Sequence, residues 1–337
     1  MLKKIALTIC IVMLLASALG CSTEKSSTPK IGISFGIGPA SRWPQEKTHM
    51  EERAHELGIE VISKLNKSGD ANTQKQDCKA LIDSGVKVLI IMPRNCTDFS
   101  DILKYAKEKN VKVIAYARPI IGQSSDLFVG YDTYRIGQTE GLYTTELVRK
   151  GNFIVLRGDK GDYNSNNLYK GVMTQLEPAM AEGSNIILDD YVPGWDPEIA
   201  KKLVREALLK NNKKIEVILA PNDVIAGACY EVIQELGIKN KVIITGMDAE
   251  LSAVRRIAHD QQDITFYMSL RDLARTAVEQ ANNMVTNKKI ITNSEFVDNS
   301  GNKTPAYLIS GRFITKNNLH RSLIEPGIFT REQVFGN

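Results

Sequence analysis

The sequence is poor in the residues that build metal centres and redox sites. It has five cysteines and four histidines among 337 residues, and no C-x-x-C pair or Cys/His cluster with metal-ligand spacing occurs. The three cysteines outside the N-terminal segment, Cys78, Cys96 and Cys229, are odd in number and widely spaced. The histidines lie mostly in charged helix-like stretches, where a solvated face is the better interpretation: His49, His55, His259 and His320. We therefore expect neither a metal site nor a cofactor.

A charge excess of one sign is also missing. The formal net charge is +4; Lys3 and Lys4 supply two of these charges, and the remainder is dispersed. Nucleic-acid binding needs a concentrated basic surface, so a nucleic acid is not an expected partner. Gly36-Ile37-Gly38 begins a phosphate-binding motif, but the spacing never completes G-x-G-x-x-G. A dinucleotide-binding site is therefore a poor interpretation.

One apolar run stands out at the N-terminus, and it is too short to span a bilayer comfortably. It extends from Ile5 to Leu15 behind a basic head that contains Lys3 and Lys4, and small residues follow it. This arrangement is typical of an export leader. It predicts a signal peptide over residues 1–20 and an extracytoplasmic location for the rest.

The segment Ala18-Leu19-Gly20-Cys21 resembles a bacterial lipobox. The resemblance implies lipidation of Cys21 and attachment to the cell membrane. The Ser/Thr-rich stretch over residues 21–29 then serves as a flexible tether. A plain secretory leader cut near Ala18 and an uncleaved anchor are the alternatives.

The rest of the chain alternates apolar strand-like runs with amphipathic helical segments. Continuous Val/Ile runs indicate strands buried on both faces, and helical connectors imply parallel strands, so the pattern predicts a doubly wound α/β fold. The predicted strands are Lys30–Phe35, Val86–Met92, Val111–Ala115, Phe153–Leu156, Ile186–Leu188, Ile215–Ala220 and Lys241–Thr245. The predicted helices are Gln45–Leu57, Thr73–Ser84, Phe99–Glu108, Ile136–Lys150, Asn166–Ala181, Pro197–Lys210, Val224–Glu235, Leu251–His259 and Arg271–Val285.

This number of strands exceeds what one open sheet comfortably holds, so we expect two doubly wound parallel-sheet lobes. The N-terminal lobe is predicted to comprise residues 30–131 plus about 266–305. The C-terminal lobe is predicted to comprise residues 132–265 plus about 306–337. Several crossings then form a multi-strand hinge, and a hinge of this kind suggests a cleft that closes on a ligand.

Polar and aromatic residues recur beyond nearly every predicted strand, where ligands bind in open parallel sheets. Both tryptophans, Trp43 and Trp195, are among them, and no histidine is. Carboxylates and amides bond to vicinal hydroxyls, arginine donates in a fixed geometry, and indole faces cover apolar C–H patches. A polyhydroxylated ligand is therefore predicted. The segments are Gly36–Pro44, Tyr116–Arg118, Gly158–Asn167, Asp189–Trp195, Pro221–Asp223 and Gly246–Asp248.

Each of these residues also has a purely structural interpretation. Trp43 can staple a helix start, and Trp195 can anchor a lobe surface. Asp223 and Asp248 precede helices, where aspartate is a common N-cap, and for Asp223 the cap is the preferred interpretation. Asn164 lies in a turn-prone stretch. The recurrence of such groups at the ends of successive strands favours the functional interpretation.

The order and spacing of these segments resemble the type I periplasmic sugar-binding proteins of the ribose/xylose group, and most of all the D-xylose-binding proteins. The similarity runs from about Ile31 to the C-terminus. Its segments are Arg42-Trp43, Tyr116–Arg118, Gly158–Asn167, Gly194–Glu198, Asn222–Gly227, Gly246–Leu251 and Lys316–Asn318. The resemblance implies a periplasmic-binding-protein-like type I fold in which Trp43 and Trp195 sandwich a pyranose ring. It implies that the sugar hydroxyls bond to Arg42, Arg118, Asp162, Asn164, Asn222 and Asp248.

Two positions depart from the xylose-binding pattern. Ala117 stands where that pattern has an aspartate, and Met268 stands where it has a lysine. The loss of one acceptor and one donor alters the hydroxyl network, by about 1–3 kcal/mol each if their partners stay unpaired. D-Xylose is therefore the leading expectation, and a changed affinity or sugar preference stays open.

The resemblance implies a non-catalytic receptor whose sugar-bound form is read by a membrane partner, either an ABC-type importer or a sensor histidine kinase. Sugar-responsive transcription regulators share the two-lobed core, but they need a helix-turn-helix where this chain has its leader and tether. A sugar-processing enzyme is a third alternative, because paired carboxylates such as Asp189-Asp190 exist. No metal set or complete dinucleotide motif accompanies them.

Overall fold

A computed structural model describes residues 28–36, 42–66 and 68–336. The predicted leader and the proposed lipidation site Cys21 lie outside these described residues. The strands are β1 (Lys30–Phe35), β2 (Glu60–Leu65), β3 (Val88–Met92), β4 (Lys112–Tyr116), β5 (Leu127–Tyr131), β6 (Asn152–Arg157), β7 (Asn185–Tyr191), β8 (Val217–Leu219), β9 (Ile243–Ile244), β10 (Ile264–Tyr267), β11 (Ser294–Val297), β12 (Lys303–Ile309) and β13 (Arg312–Thr315). The α-helices are α1 (Arg42–Glu56), α2 (Ala71–Asp83), α3 (Ser100–Glu108), α4 (Thr133–Leu147), α5 (Tyr163–Ala181), α6 (Pro197–Lys210), α7 (Asp223–Glu235), α8 (Leu251–Ala258), α9 (Leu270–Val285) and α10 (Arg331–Phe335).

The first lobe is built on a seven-stranded sheet in the order β11-β12-β5-β4-β3-β1-β2. Its strands are parallel except for the antiparallel pair β11 and β12. All five residues of β3 are buried, as its unbroken apolar sequence requires. Side chains of α1 and α9 cover one face of the sheet, and side chains of α2 and α3 cover the other. This is the doubly wound arrangement.

The second lobe is built on a four-stranded parallel sheet in the order β7-β6-β8-β9. Strands β10 and β13 form an antiparallel pair beside it, and a parallel bridge between Asp248 and Tyr267 joins the segment after β9 to β10. Residues of α6 and α7 form an apolar core with β6 and β8. Two lobes of α/β construction therefore face each other.

The chain passes between the lobes three times: from β5 to α4, from β10 to α9, and from β12 to β13. Strand β12 pairs with β5 as far as Ile309, so the predicted boundary near residue 305 falls inside a strand of the first lobe. Strand β10 pairs with β13 of the second lobe, so the returning segment starts after Tyr267 rather than at about 266. The remaining lobe boundaries stay predictions.

The predicted fold class is confirmed, but six strands of the described residues are missing from the predicted set: β2, β5, β10, β11, β12 and β13. Strand β2 has charged residues at positions 60 and 64 and lies half-exposed at the sheet edge, so its apolar signal is weak. Strand β11 is mostly exposed and pairs on one side only. In the described part of the chain, no helix is long and apolar enough to cross a membrane.

Candidate binding site between the lobes

Two polar contacts join the lobes at the carboxyl ends of their strands. Arg118, two residues after β4, donates from Nη2 to Asp162 Oδ2 at 3.0 Å. Asp162 also caps α5, because its Oδ1 accepts the Ser165 backbone N–H at 3.0 Å. Asn164 donates to the Ala117 carbonyl at 3.3 Å. The predicted residues Arg118, Asp162 and Asn164 therefore meet across one cleft.

Trp195 lies beside this contact on a short 3-10 turn of the second lobe, Pro193–Trp195. A methyl group on Gly158 would lie 2.3 Å from atoms of the indole, so the ring rests directly on the Gly158 backbone. The loop is fixed by Asp159, whose carboxylate accepts the Gly194 N–H at 2.9 Å. The absence of a side chain at Gly158 thus sets where the indole lies.

Arg118, Asp162 and Trp195 line a cavity of about 1000 Å³ between the lobes. The rest of its wall mixes cationic, amide and aromatic groups from both lobes, among them Arg94, Asn95, Tyr163, Asn166 and Tyr191. A wall of this composition offers hydrogen-bond donors and acceptors next to flat apolar faces. It can hold a small polar ligand that also has apolar C–H surface.

The site residues after β8 have different roles from those expected. Asn222 is the N-cap of α7, because its Oδ1 accepts the Ile225 N–H at 2.9 Å. Asp223 is not the cap: it is fully buried and accepts from Gln262 Nε2 at 2.8 Å and from the Glu250 N–H at 2.9 Å. The preferred interpretation of Asp223 was therefore wrong. Asn and Asp are both good caps, and the sequence does not show which of two neighbours starts the helix.

Asp248 does not cap a helix either. Helix α8 begins three residues later, and Glu250 is its N-cap residue, without a side-chain cap. Solvent reaches Asp248, but the surrounding protein displaces enough water to raise the pKa of its carboxyl to about 6, with Glu250 adding to the rise and Arg42 opposing it. The Asp248 carboxylate is thus under the influence of a cation from the other lobe, and its role in the cleft stays a prediction.

Arg42 and Trp43 open helix α1 of the first lobe. Trp43 is only 5% exposed and packs against Phe35 with ring centroids 6.2 Å apart. The Arg42 guanidinium lies 4.3 Å from the centre of the indole. Trp43 therefore has the contacts of a core residue that carries an arginine on its surface, and its role as a sugar platform stays a prediction.

Backbone strain coincides with this cleft. Ala117 (φ 59°), Trp195 (φ 58°) and Asp248 (φ 102°) all have positive φ, a region that residues other than glycine seldom occupy. Each follows the end of a strand and belongs to a segment that the sequence placed at the ligand edge. Strained conformations persist where the surrounding structure holds them, and they cluster at functional sites.

Sequence reasoning missed a buried polar cluster next to Arg42. Glu46 is fully buried, and the hydroxyls of Tyr116 and Tyr131 are buried nearby. Within the described residues, several buried side-chain atoms of this cluster lack an aligned hydrogen-bond partner: Arg42 Nη2, Glu46 Oε2, Tyr116 Oη and Tyr131 Oη. The tyrosines end two neighbouring strands, β4 and β5, and that position was the available signal.

Arg157 was also missed. Its guanidinium lies 3.8 Å from the ring centre of Tyr169 and 4.7 Å from that of Tyr191, and its Nε donates to Asp189 Oδ1 at 2.7 Å. Asp189, half of the paired carboxylates considered for an enzyme, is therefore held in an ion pair. Its negative charge compensates the positive charge of Arg157.

The two positions that depart from the xylose-binding pattern are both buried and apolar. Ala117 is 4% exposed and Met268 is 7% exposed, and both belong to the first apolar core together with Trp43. The Ala117 carbonyl accepts from Asn164, so this position still contributes an acceptor from its backbone. No group of three or more potential metal ligands occurs among the described residues.

The chain matches the family described as periplasmic binding protein domain over residues 31–289, and it belongs to that family. It is 30% identical over 335 residues to the D-xylose-binding periplasmic protein of Escherichia coli (strain K12), covering 99% of both chains. It is also 30% identical over 315 residues to the D-xylose-binding periplasmic protein of Haemophilus influenzae, covering 93% of this chain and 94% of the relative.

A solved structure shares the fold. It is the solute-binding protein of an ABC transporter from Clostridium phytofermentans with bound β-D-glucose, with a TM-score of 0.78 and 24% identity, over 90% of this chain and 99% of the other. The two-lobed architecture predicted from the sequence is therefore the periplasmic binding protein type I fold.

Proposed function

We propose that this chain is a lipid-anchored extracytoplasmic solute-binding protein for a monosaccharide, with D-xylose as the first candidate. The proposal rests on one observation. Across one cleft, Arg118 of the first lobe bonds to Asp162 of the second, Asn164 bonds to the Ala117 carbonyl, and Trp195 lines the same space. Arg42, Asn222 and Asp248 do not line the same cavity, and we propose them as further hydroxyl partners of the bound sugar. Its membrane partner is an ABC importer or a sensor histidine kinase.

The chemistry of the wall supports a neutral sugar. Guanidinium and amide groups donate, the carboxylate of Asp162 accepts, and the Trp195 indole covers the C–H face of a ring. The relatives named for D-xylose binding support the same ligand class. Ala117 and Met268 present apolar surface at two positions where the xylose pattern has polar side chains. The arrangement of sugar hydroxyls that the site prefers therefore has to be measured.

Ligand class can be tested by a thermal-shift screen of pentoses and hexoses on the purified protein. We expect D-xylose or a close stereoisomer to raise the melting temperature in a concentration-dependent way, because a ligand that binds only the folded state stabilises it. An acyclic polyol and an amino acid serve as negative controls. If no monosaccharide shifts the transition at millimolar concentration, the proposal is wrong.

The membrane partner can be distinguished genetically. If the protein feeds an importer, deleting its gene should slow growth and uptake on limiting D-xylose. If it reports to a sensor kinase, uptake should persist while induction of the xylose genes is lost. The second outcome would contradict the importer version and leave the binding function intact.

Sugar affinity should depend on pH through Asp248. Its carboxyl has a pKa of about 6 because surrounding protein disfavours the charge. A carboxylate accepts more strongly from a hydroxyl than the neutral carboxyl does, so affinity should fall as pH falls through 6. At pH 5 only about one-tenth of such groups are ionised, which predicts roughly tenfold weaker binding than at pH 7.5. Titration calorimetry across this range measures it.

The control for this pH dependence is Asp248→Asn, which removes the titrating group and keeps the shape of the side chain. The variant should bind more weakly at pH 7.5 and show a flat profile between pH 7.5 and 5. An unchanged slope in the variant would assign the titration to another group and remove Asp248 from the hydroxyl network.

A further inference from the structure

Glu46 is the most deeply buried charged group of helix α1. Its side chain has no exposed surface, and it lies one helical turn after Arg42. Burial raises the pKa of its carboxyl, and the Arg42 charge opposes that rise. A buried carboxylate is destabilising unless something compensates for its desolvation. The burial of the Glu46 carboxylate therefore needs an explanation other than the stability of helix α1.

Glu46 lies beside the Tyr116 hydroxyl, and its direct ion pair is with Arg42. Arg42 Nε donates to Glu46 Oε1 at 2.8 Å, and Arg42 Nη2 lies 2.6 Å from the same oxygen. The guanidinium is at the same time stacked on Trp43 at 4.3 Å. Two contacts on different sides fix the plane of the guanidinium, and more than a third of the Arg42 side chain remains exposed.

The charge of Arg42 also acts on the second lobe. It opposes the rise in the pKa of the Asp248 carboxyl, and Asp248 acts on Arg42 in turn. Glu46 contacts the guanidinium directly, whereas Asp248 interacts with it through its charge. A guanidinium whose plane is fixed in this way is preorganised for a hydroxyl placed beside it.

We propose that Glu46 is a positioning residue for ligand recognition: it holds the Arg42 guanidinium against Trp43 so that its remaining donors face the cleft and Asp248. This inference rests on the proposed function, because it assigns Glu46 a role in sugar binding. Glu46 itself does not touch the sugar. It acts through Arg42.

The same helix provides a matched control. Lys47 and Glu51 form an ion pair with the same spacing of four residues, at 2.7 Å, but both side chains are partly exposed. Exposed pairs of this kind contribute little to stability. Replacing Glu51 by glutamine changes one charge of an i,i+4 pair on α1 without touching the buried group.

The test compares Glu46→Gln with Glu51→Gln in the purified full chain, with D-xylose and D-glucose as probes. Glutamine keeps the shape of Glu46 and removes its charge. We expect Glu46→Gln to weaken binding of the wild-type ligand roughly five- to tenfold, the effect of one lost hydrogen bond of ordinary strength. The melting temperature without sugar should fall little, because glutamine still accepts from Arg42 and the unpaired guanidinium remains partly exposed to water. Glu51→Gln should leave affinity unchanged.

A double-mutant cycle separates positioning from a structural effect. In an Arg42→Ala background, Glu46→Gln should cause no further loss of affinity, since Glu46 acts only through Arg42. Equal losses in both backgrounds, or unchanged affinity in the single variant, would overturn the inference. If Glu46→Gln does not fold, Glu46→Asp tests the same point: it keeps the charge but withdraws it from Arg42, so affinity should still fall.

The outcomes also separate this inference from the proposed function. If the wild-type protein binds neither probe nor any other monosaccharide, the proposed function fails and takes the inference with it. If the wild type binds and Glu46→Gln binds equally well, only the positioning role is wrong.

Discussion

Replacing Trp195 by alanine is expected to weaken sugar binding by about 1–3 kcal/mol, which corresponds to roughly 5- to 150-fold in the dissociation constant. The indole lines the cleft and rests on Gly158, so its free face is available to the C–H side of a sugar ring. The residue is only partly buried and has a left-handed backbone conformation. Its removal should therefore change affinity much more than stability, as measured by calorimetry and thermal unfolding.

A second variant displaces the indole without removing it. Gly158→Ala places a methyl group 2.3 Å from the ring, and no positive φ at Gly158 opposes alanine. The ring must move, so binding should weaken several-fold. Leu209→Ala, which truncates an exposed apolar side chain of the second lobe, is the control. Unchanged affinity in both Trp195→Ala and Gly158→Ala would place the sugar elsewhere.

The fold was predictable because three strands in the first sheet, β1, β3 and β4, carry a continuous apolar signal. The five residues of β3 are apolar and buried, and the helices that pack on this sheet have apolar residues at regular helical spacing. Edge strands carry less of this signal, since one side has no neighbour and charged residues are tolerated there. Strand β2 was missed for this reason.

The sequence predicts which residues lie at the strand ends beside the cleft, but not how these residues contact one another. That Trp195, Arg118 and Asp162 follow strand ends can be read along the chain, because the carboxyl ends of parallel strands share one edge. The Arg118–Asp162 contact joins two lobes and depends on how far they have closed, so no local pattern contains it. Glu46 looks like half of an ordinary surface pair at i,i+4. Its burial is set by residues of strands β4 and β5, far along the chain.

Replacing Asp223 by alanine is expected to destabilise the protein by about 3–5 kcal/mol, because three donors in or next to the core lose this acceptor and an unpaired buried donor costs about 1–3 kcal/mol. These donors are Gln262 Nε2, the Glu250 N–H and the Thr265 hydroxyl, at 2.8, 2.9 and 2.9 Å. Thr265 in turn accepts the Ala249 N–H at 3.1 Å. The network therefore holds the turn on which Asp248 stands, and chemical denaturation measures its loss.

The ionisation of Asp223 gives this prediction a second readout. Burial, with a smaller contribution from Asp248, raises the pKa of its carboxyl to about 8, and the hydrogen bonds oppose the rise. A carboxyl whose pKa is higher in the folded than in the unfolded state contributes stability that is fully present below the unfolded pKa of 3.8 and is lost progressively as pH rises from there to about 8. Asp223→Asn should remove this loss. If wild type and Asp223→Asn lose stability equally between pH 4 and 8, the carboxyl is already ionised in the fold.

The two measurements together connect stability to the site. Asp248 and Ala249 are consecutive residues with positive φ. The backbone N–H of Ala249 donates to Thr265, and that of Glu250 donates to Asp223. If these hydrogen bonds maintain the strained backbone, Asp223→Ala should lower sugar affinity as well as stability at temperatures where the variant is still folded. Val224→Ala, at the exposed neighbouring position, should change neither. A variant that loses stability but keeps full affinity would show that the turn keeps its conformation without Asp223.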